Sequence, residues 1–227
     1  ASGVTLRVMQ GGEPVEVTAD HLVSTAGRRA NTDSMGLDEV GVKTDARGSI
    51  VIGDDMQTSV PGIYAAGDVT DRDQFVYMAA YGAKLAVKNA VLGDDQRYDN
   101  SAMPWVVFSD PQIAGVGLSE QQARDAGFDV KTSVVPLDQV PRALAARDTR
   151  GLIKLVADKK TDKLLGGQII APEGSDTIQT LVMALKFGMT TKDLGATIFP
   201  YLTTVEGLKL AAQTFDMDVA KLSCCAG

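Results

Sequence analysis

The stretch Gly62-Ile63-Tyr64-Ala65-Ala66-Gly67-Asp68 constrains the fold of this chain more than any other. A short apolar strand runs into a glycine turn and an aspartate. An apolar helix of small residues is expected to follow, from about residue 73 to 91. Strand, glycine turn, acid and helix in that order form a plausible nucleotide-binding edge. The glycine lets backbone approach a ligand closely, and the Asp68 carboxylate can accept a sugar or ribityl hydroxyl. Backbone amides opening the helix near Gln74, Phe75 and Val76 would turn a positive dipole end toward an electron-rich group. A plainer reading stands beside this one, a strand–turn–helix in which Asp68 merely caps the helix. Ala79, Ala80, Gly82, Ala83 and Ala86 indicate close backbone packing within that helix.

Composition narrows the class. With 44% hydrophobic and 22% charged residues the chain is ordinary globular material. Its 22 Lys plus Arg against 29 Asp plus Glu give a net charge of −7, opposite in sign to the basic face a nucleic acid needs. No apolar run approaches a membrane span of ~20 residues. A signal peptide and a spaced cysteine framework are both missing from the residues given, so a reducing cytoplasm is the simplest expectation. The chain begins without Met and almost at once inside a strand pattern, which reads as a fragment.

Before the turn, Leu6, Val8, Val15 and Val17 alternate with polar neighbours around Gly11-Gly12, predicting a β-hairpin. His21-Leu22-Val23-Ser24-Thr25-Ala26-Gly27 reads as a short strand entering a glycine turn, and Ile50-Val51-Ile52 as another. His21, the only histidine, has no nucleophile or metal ligand spaced with it and reads as a strand-start residue. The polar, turn-prone run Leu92 to Asn100 places a domain boundary after residue 98.

Beyond the boundary the pattern predicts strands at 105–108, 113–117, 130–135, 152–157 and 164–171. It also predicts a helix at 120–126, a polar loop after residue 135, and two or three helices at the end. Ser119 with Gln122 makes a capping box. Ile178, Leu181, Val182 and Leu185 share one helix face. Thr203 or Thr204 caps a last helix striped by Val205, Leu208, Ala212 and Phe215. Strands followed by helices on one side fit an α+β domain. Gly115-Val116-Gly117-Leu118-Ser119-Glu120 lacks the third glycine of a dinucleotide fingerprint and lies in this second sheet.

Both cysteines stand side by side at Cys224 and Cys225. Adjacent Cα atoms are only about 3.8 Å apart across a trans peptide, below the ~4.4–6.8 Å a disulfide spans. The pair therefore favours the dithiol form, or an easily reduced disulfide, and offers two soft thiolate donors near the chain end. An inert tail is the alternative.

Taken together these residues resemble a known family. Ser24-Thr25-Ala26-Gly27-Arg28-Arg29-Ala30-Asn31-Thr32 is similar to the crossing from the NAD(P) domain back to the FAD domain in flavin disulfide reductases. The Gly62–Asp68 stretch resembles that family's second FAD motif, and Phe108-Ser109-Asp110-Pro111-Gln112 the opening of its interface domain. Three motifs in the family's order cover nearly the whole chain.

Family members acting on thiols carry a His and a Glu near the end. Here the matching stretch is Pro200-Tyr201-Leu202-Thr203-Thr204-Val205-Glu206, with Tyr201 where that His would be. A phenol titrating near pH ~10 is a poor proton shuttle at neutral pH but can donate a hydrogen bond or lie beside a bound metal. Tyr201, the Ser223-Cys224-Cys225-Ala226-Gly227 ending and the Val140-Pro141-Arg142-Ala143-Leu144 segment together resemble the members that reduce Hg(II).

The resemblance implies an α/β (α+β) chain: the C-terminal half of an FAD-binding Rossmann-like domain, then an α+β dimerisation domain with a mainly antiparallel sheet. Residues 1–30 would end the NAD(P)H-binding domain, 31–98 continue the FAD domain, and 99–227 form the dimerisation domain with its Cys-Cys tail. It further implies FAD and NADPH as cofactors and Hg(II) thiol complexes as substrate. The active site would be shared within a homodimer. Tyr201 and Glu206 are the expected catalytic residues; Gly67, Asp68, Val69, Gln74, Phe75 and Val76 the FAD contacts; Cys224 and Cys225 the metal ligands. The fragment alone is expected to be inactive. Two alternatives remain open: a flavin disulfide reductase of another substrate, or a non-redox dimeric module binding a soft metal.

Overall fold

In a computed structural model, residues 3–218 are described. The chain divides into two compact units between Tyr98 and Asp99.

The first unit opens with a two-stranded antiparallel hairpin, β1 (Val4–Gln10) and β2 (Glu13–Ala19). Leu6 faces Val17 and Val8 faces Val15 across it, as the alternation predicts. Gly11 and Gly12, both at positive φ, make the turn. The apolar side chains of this ribbon remain well exposed.

The strand expected over residues 21–27 does not form; that segment is irregular and exposed. A strand persists only where a neighbour takes its backbone hydrogen bonds, and among the described residues none pairs with this one. Ile50-Val51-Ile52 is likewise reduced to isolated bridges, Thr44 with Ile50 and Ile52 with Thr58. The long helix α1 (Val76–Leu92) is present but starts at Val76 instead of residue 73. Asp71 and Asp73 take left-handed backbone conformations that a helix cannot absorb. Gly82 lets α1 close down: a Cβ there would lie 2.8 Å from Met56 Cε.

The second unit is a five-stranded antiparallel sheet in the order β3-β4-β7-β6-β5. Its strands are β3 (Pro104–Val107), β4 (Gln112–Gly117), β5 (Val130–Pro136), β6 (Leu152–Asp158) and β7 (Leu164–Ala171). One face carries Val116, Val135, Ile153, Leu155 and Ile169. It packs beneath α4 (Gly174–Lys186), α5 (Thr191–Ala196) and α6 (Glu206–Gln213) through Ile178, Leu181, Leu194 and Leu208. Each fully buried Leu or Ile contributes about 1.5–3 kcal/mol, which makes this face the main source of the unit's stability. The opposite face is covered more thinly by α2 (Glu120–Asp125), where Ala123 meets Val130 and Val156.

Ser119 and Gln122 form the capping box the sequence announces. The expected polar loop after residue 135 instead holds a 3-10 turn at Leu137–Gln139 and a short helix, α3 (Pro141–Ala146). Proline at its first position is preset for helix, and Leu137, Val140 and Ala143 anchor it in the core. Six residues are too few for a periodicity to show. The cap of α6 is also displaced. Val205 is its N-cap, while Thr203 Oγ1 accepts from the Glu206 amide at 3.3 Å.

Candidate functional site

Two groups of expected site residues are described, one in each unit. In the first unit, the Gly62–Asp68 stretch delivers Gly67 at φ 82°, ψ −162°, and a 3-10 turn over Asp68–Thr70 follows. That region of backbone space belongs almost solely to glycine. A Cβ on Gly67 would sit 3.1 Å from Ala79 Cβ, so the turn lies tight on the first turns of α1.

The Gly67 carbonyl accepts from the Thr70 amide (2.9 Å) and hydroxyl (2.8 Å), closing the bend. The Val69 carbonyl accepts from the Ile50 amide at 2.9 Å, which ties the bend to the preceding loop.

Asp68 does not cap α1. Its carboxylate is half-exposed and sits 3.7 Å from Arg28 Nε. The helix-cap alternative therefore fails for this residue, and Phe75 is the N-cap without a side-chain hydrogen bond. Gln74 turns its amide to Asp71 Oδ1 (2.9 Å), and its own carbonyl accepts from Arg28 Nη1 at 2.5 Å. The Phe75 ring stacks on Tyr77 with centroids 5.3 Å apart. Val76 opens the helix at 85% exposure. All six expected FAD contacts thus bracket one bend, with an exposed carboxylate on one side and a helix start that no side chain caps on the other.

Arg28 was not among the expected site residues, although it stands in the segment that carries the family resemblance. Its guanidinium joins the two halves of the bend across 46 residues of sequence, a separation no local pattern reveals.

In the second unit Tyr201 lies in the turn that leads into α6, and Glu206 is the first residue of that helix. Tyr201 is 60% exposed and Glu206 only 5%. Glu206 Oε2 accepts from the Leu202 amide at 3.1 Å, and Leu202 has φ 64°. Thr203 Oγ1 donates to the Pro200 carbonyl at 2.8 Å, and Thr204 Oγ1 to Glu173 Oε2 at 3.0 Å. A carboxylate at the first position of α6 also meets the positive end of that helix. Of the two side chains, one is presented to solvent and the other is buried. Cys224 and Cys225 lie outside the described residues. Among the described residues no three His, Cys, Asp or Glu side chains converge to hold a metal ion, and no helix is long and apolar enough to cross a membrane.

One unit thus carries a glycine bend ahead of a long helix, and the other a helix-backed antiparallel sheet. Two models of one family match in sequence order: pyridine nucleotide-disulphide oxidoreductase over residues 2–86, and that family's dimerisation domain over residues 103–212. The chain belongs to the pyridine nucleotide-disulphide oxidoreductases.

Relatives sharpen the placement. The chain is 51% identical over 211 residues to the mercuric reductase of Lysinibacillus sphaericus, covering 93% of this chain and 39% of that protein. It is 48% identical over 216 residues to that of Staphylococcus aureus (95% and 40%) and 50% identical over 212 residues to that of Shigella flexneri (93% and 37%). It therefore spans about two fifths of the length of these relatives.

Among solved structures, the HOCl-induced flavoprotein disulfide reductase RclA of Escherichia coli superposes with a TM-score of 0.79 at 29% identity, covering 88% of this chain and 46% of RclA. LpdA of Mycobacterium tuberculosis gives 0.80 at 25% identity, covering 93% and 48%.

Proposed function

We propose that this chain is the C-terminal part of a mercuric reductase, in which the complete protein reduces Hg(II) to Hg(0) at the expense of NADPH. One observation carries the reading: identity near one half, over nearly the whole chain, to several mercuric reductases. Residues 1–30 then close the NADPH domain, 31–98 belong to the FAD domain, and 99–227 form the dimerisation domain of a cytoplasmic homodimer.

The bend around Gly67 suits FAD. Asp68 offers an exposed carboxylate to a hydroxyl, and the start of α1 offers its dipole to an electron-rich ring edge. FAD, when bound, supplies the electron relay between NADPH and the metal. This chain's own residues do the rest. Arg28 holds the bend together, Asp68 orients the hydroxyl-bearing chain, and Tyr201 presents a phenol beside the substrate. The Cys224 and Cys225 thiolates collect Hg(II), and another thiolate displaces them by ligand exchange as in thiol–disulfide chemistry. The two electrons of NADPH convert Hg(II) to Hg(0), leaving NADP⁺ and a proton. With Tyr201 in place of the usual His, the turn lacks a shuttle for thiol protons at neutral pH. That weighs against an organic disulfide substrate.

The test is Hg(II)-dependent NADPH oxidation by the complete protein, comparing wild type with Cys224→Ala/Cys225→Ala at limiting Hg(II) and excess competing thiol. Turnover that the double variant slows mainly under thiol competition supports the reading. NADPH oxidation that ignores Hg(II) overturns it.

A further inference from the structure

Glu206 combines three features that do not suit a proton carrier exposed to substrate. It is 5% exposed, it is the first residue of α6, and one of its oxygens is committed to a backbone amide. That amide belongs to Leu202, a branched residue in the left-handed region at φ 64°. Leucine enters that region only where its surroundings hold it. The Glu206 bond at 3.1 Å is what holds it here, and Leu202 follows Tyr201 directly.

The anchor beneath the turn is rigid. A Cβ on the adjacent Gly207 would stand 2.6 Å from Ile153 Cδ1, so the start of α6 is seated on the sheet with no slack. Thr203 ties the Pro200 carbonyl to the Glu206 amide within the same turn.

We propose that Glu206 is a positioning residue for Tyr201. It serves as a hydrogen-bond acceptor that locks Leu202 left-handed, and so fixes the direction in which the exposed phenol leaves the chain. Reach and acceptor capacity matter for this role; the negative charge does not. The inference deepens the proposed function, since it concerns the residue that reading sets beside Hg(II), but its geometry stands without the metal.

Two conservative variants separate the possibilities. Glu206→Gln keeps both length and an acceptor oxygen while losing the charge. Glu206→Asp keeps the charge but is one methylene too short to reach the Leu202 amide. The complete protein is labelled with 3-fluorotyrosine, and its Tyr201 resonance is assigned by its disappearance in Tyr201→Phe. The expected result is one narrow ¹⁹F line for Tyr201 in wild type, kept by Glu206→Gln and shifted or broadened by Glu206→Asp, with the other tyrosine lines unmoved.

In Hg(II)-dependent turnover, Glu206→Asp raises KM by about tenfold while kcat changes less, and Glu206→Gln rescues most of that loss. A Tyr201 line indifferent to Glu206→Asp, or displaced as far by Gln as by Asp, overturns the inference. If NADPH oxidation ignores Hg(II) while the ¹⁹F pattern holds, the mercuric reading falls and the positioning role stands.

Discussion

Gly67 shows how a single residue can carry both fold and function. Its backbone occupies a region closed to side-chain-bearing residues, and any Cβ would press on Ala79 at 3.1 Å. Gly67→Ala is therefore expected to cost about 1–3 kcal/mol. On the proposed reading it also loosens FAD, because Asp68 and the start of α1 are held in register by this turn. Thermal unfolding of the complete protein, followed by circular dichroism and by flavin release, checks both. Flavin lost well below the unfolding midpoint is the expected sign. An unchanged midpoint and unchanged flavin content would show that the turn bears neither load. The bend at Gly67 and Asp68 could be read from the sequence because an apolar stretch, a glycine and an aspartate stand directly ahead of a long helical run. Arg28 could not, since its value lies in a contact with Gln74 made by a chain reversal that only the folded unit contains.

Elements followed their pattern wherever their partners are present. Strands β5, β6 and β7 alternate or run apolar; β5 and β6 pair along their whole length, and β7 pairs with β6 through one register shift. The stretch over 21–27 carries Leu22, Val23 and Ala26 but has no described partner, so it stays irregular. Strand propensity reports fitness for a sheet and cannot supply one. Helix α3 went unseen because only Ala143 of its six residues is buried, too little for an apolar stripe to show.

Between elements, Glu120 is the tie that titration can expose. Its carboxylate accepts from Lys154 Nζ on β6 at 2.7 Å and from Arg124 Nη2 within α2 at 2.8 Å. The hydrogen bond from Lys154, then that from Arg124, holds its pKa at about 2, against an ordinary 4.5. A carboxylate whose pKa is depressed by folding stabilises fully above its unfolded pKa and loses that contribution as pH falls through the folded one. The urea midpoint of wild type should therefore exceed that of Glu120→Gln by a constant margin at neutral pH. The margin should narrow from about pH 4.5 downward and close near pH 2. A margin that survives at pH 2 would assign the effect to shape instead of charge.

For the molecule as a whole, exposed apolar surface is the feature left unexplained by either unit's own packing. Ile198 is 94% exposed, and Phe187 and Met183, one helical turn apart at the end of α4, are 70% and 47% exposed. Burial of such side chains drives association, and all three fall within the span matched by the dimerisation-domain model. On the proposed reading these side chains are covered by a second copy. Ile198→Asp then places a charge where desolvation would be costly, at a side chain that is 94% exposed in the single chain. The expected outcome is an unchanged circular dichroism spectrum and melting curve at concentrations where both proteins are monomeric. Sedimentation should show the dimer constant weakened by at least about tenfold, the equivalent of 1.4 kcal/mol. Hg(II)-dependent NADPH oxidation should fall as the variant is diluted and recover as it is concentrated, because a site shared between subunits disappears with the dimer. Turnover independent of concentration in a demonstrably monomeric variant would show that each subunit works alone, and the shared-site arrangement would have to be given up while the chemistry assigned to Tyr201 and the cysteine pair remained.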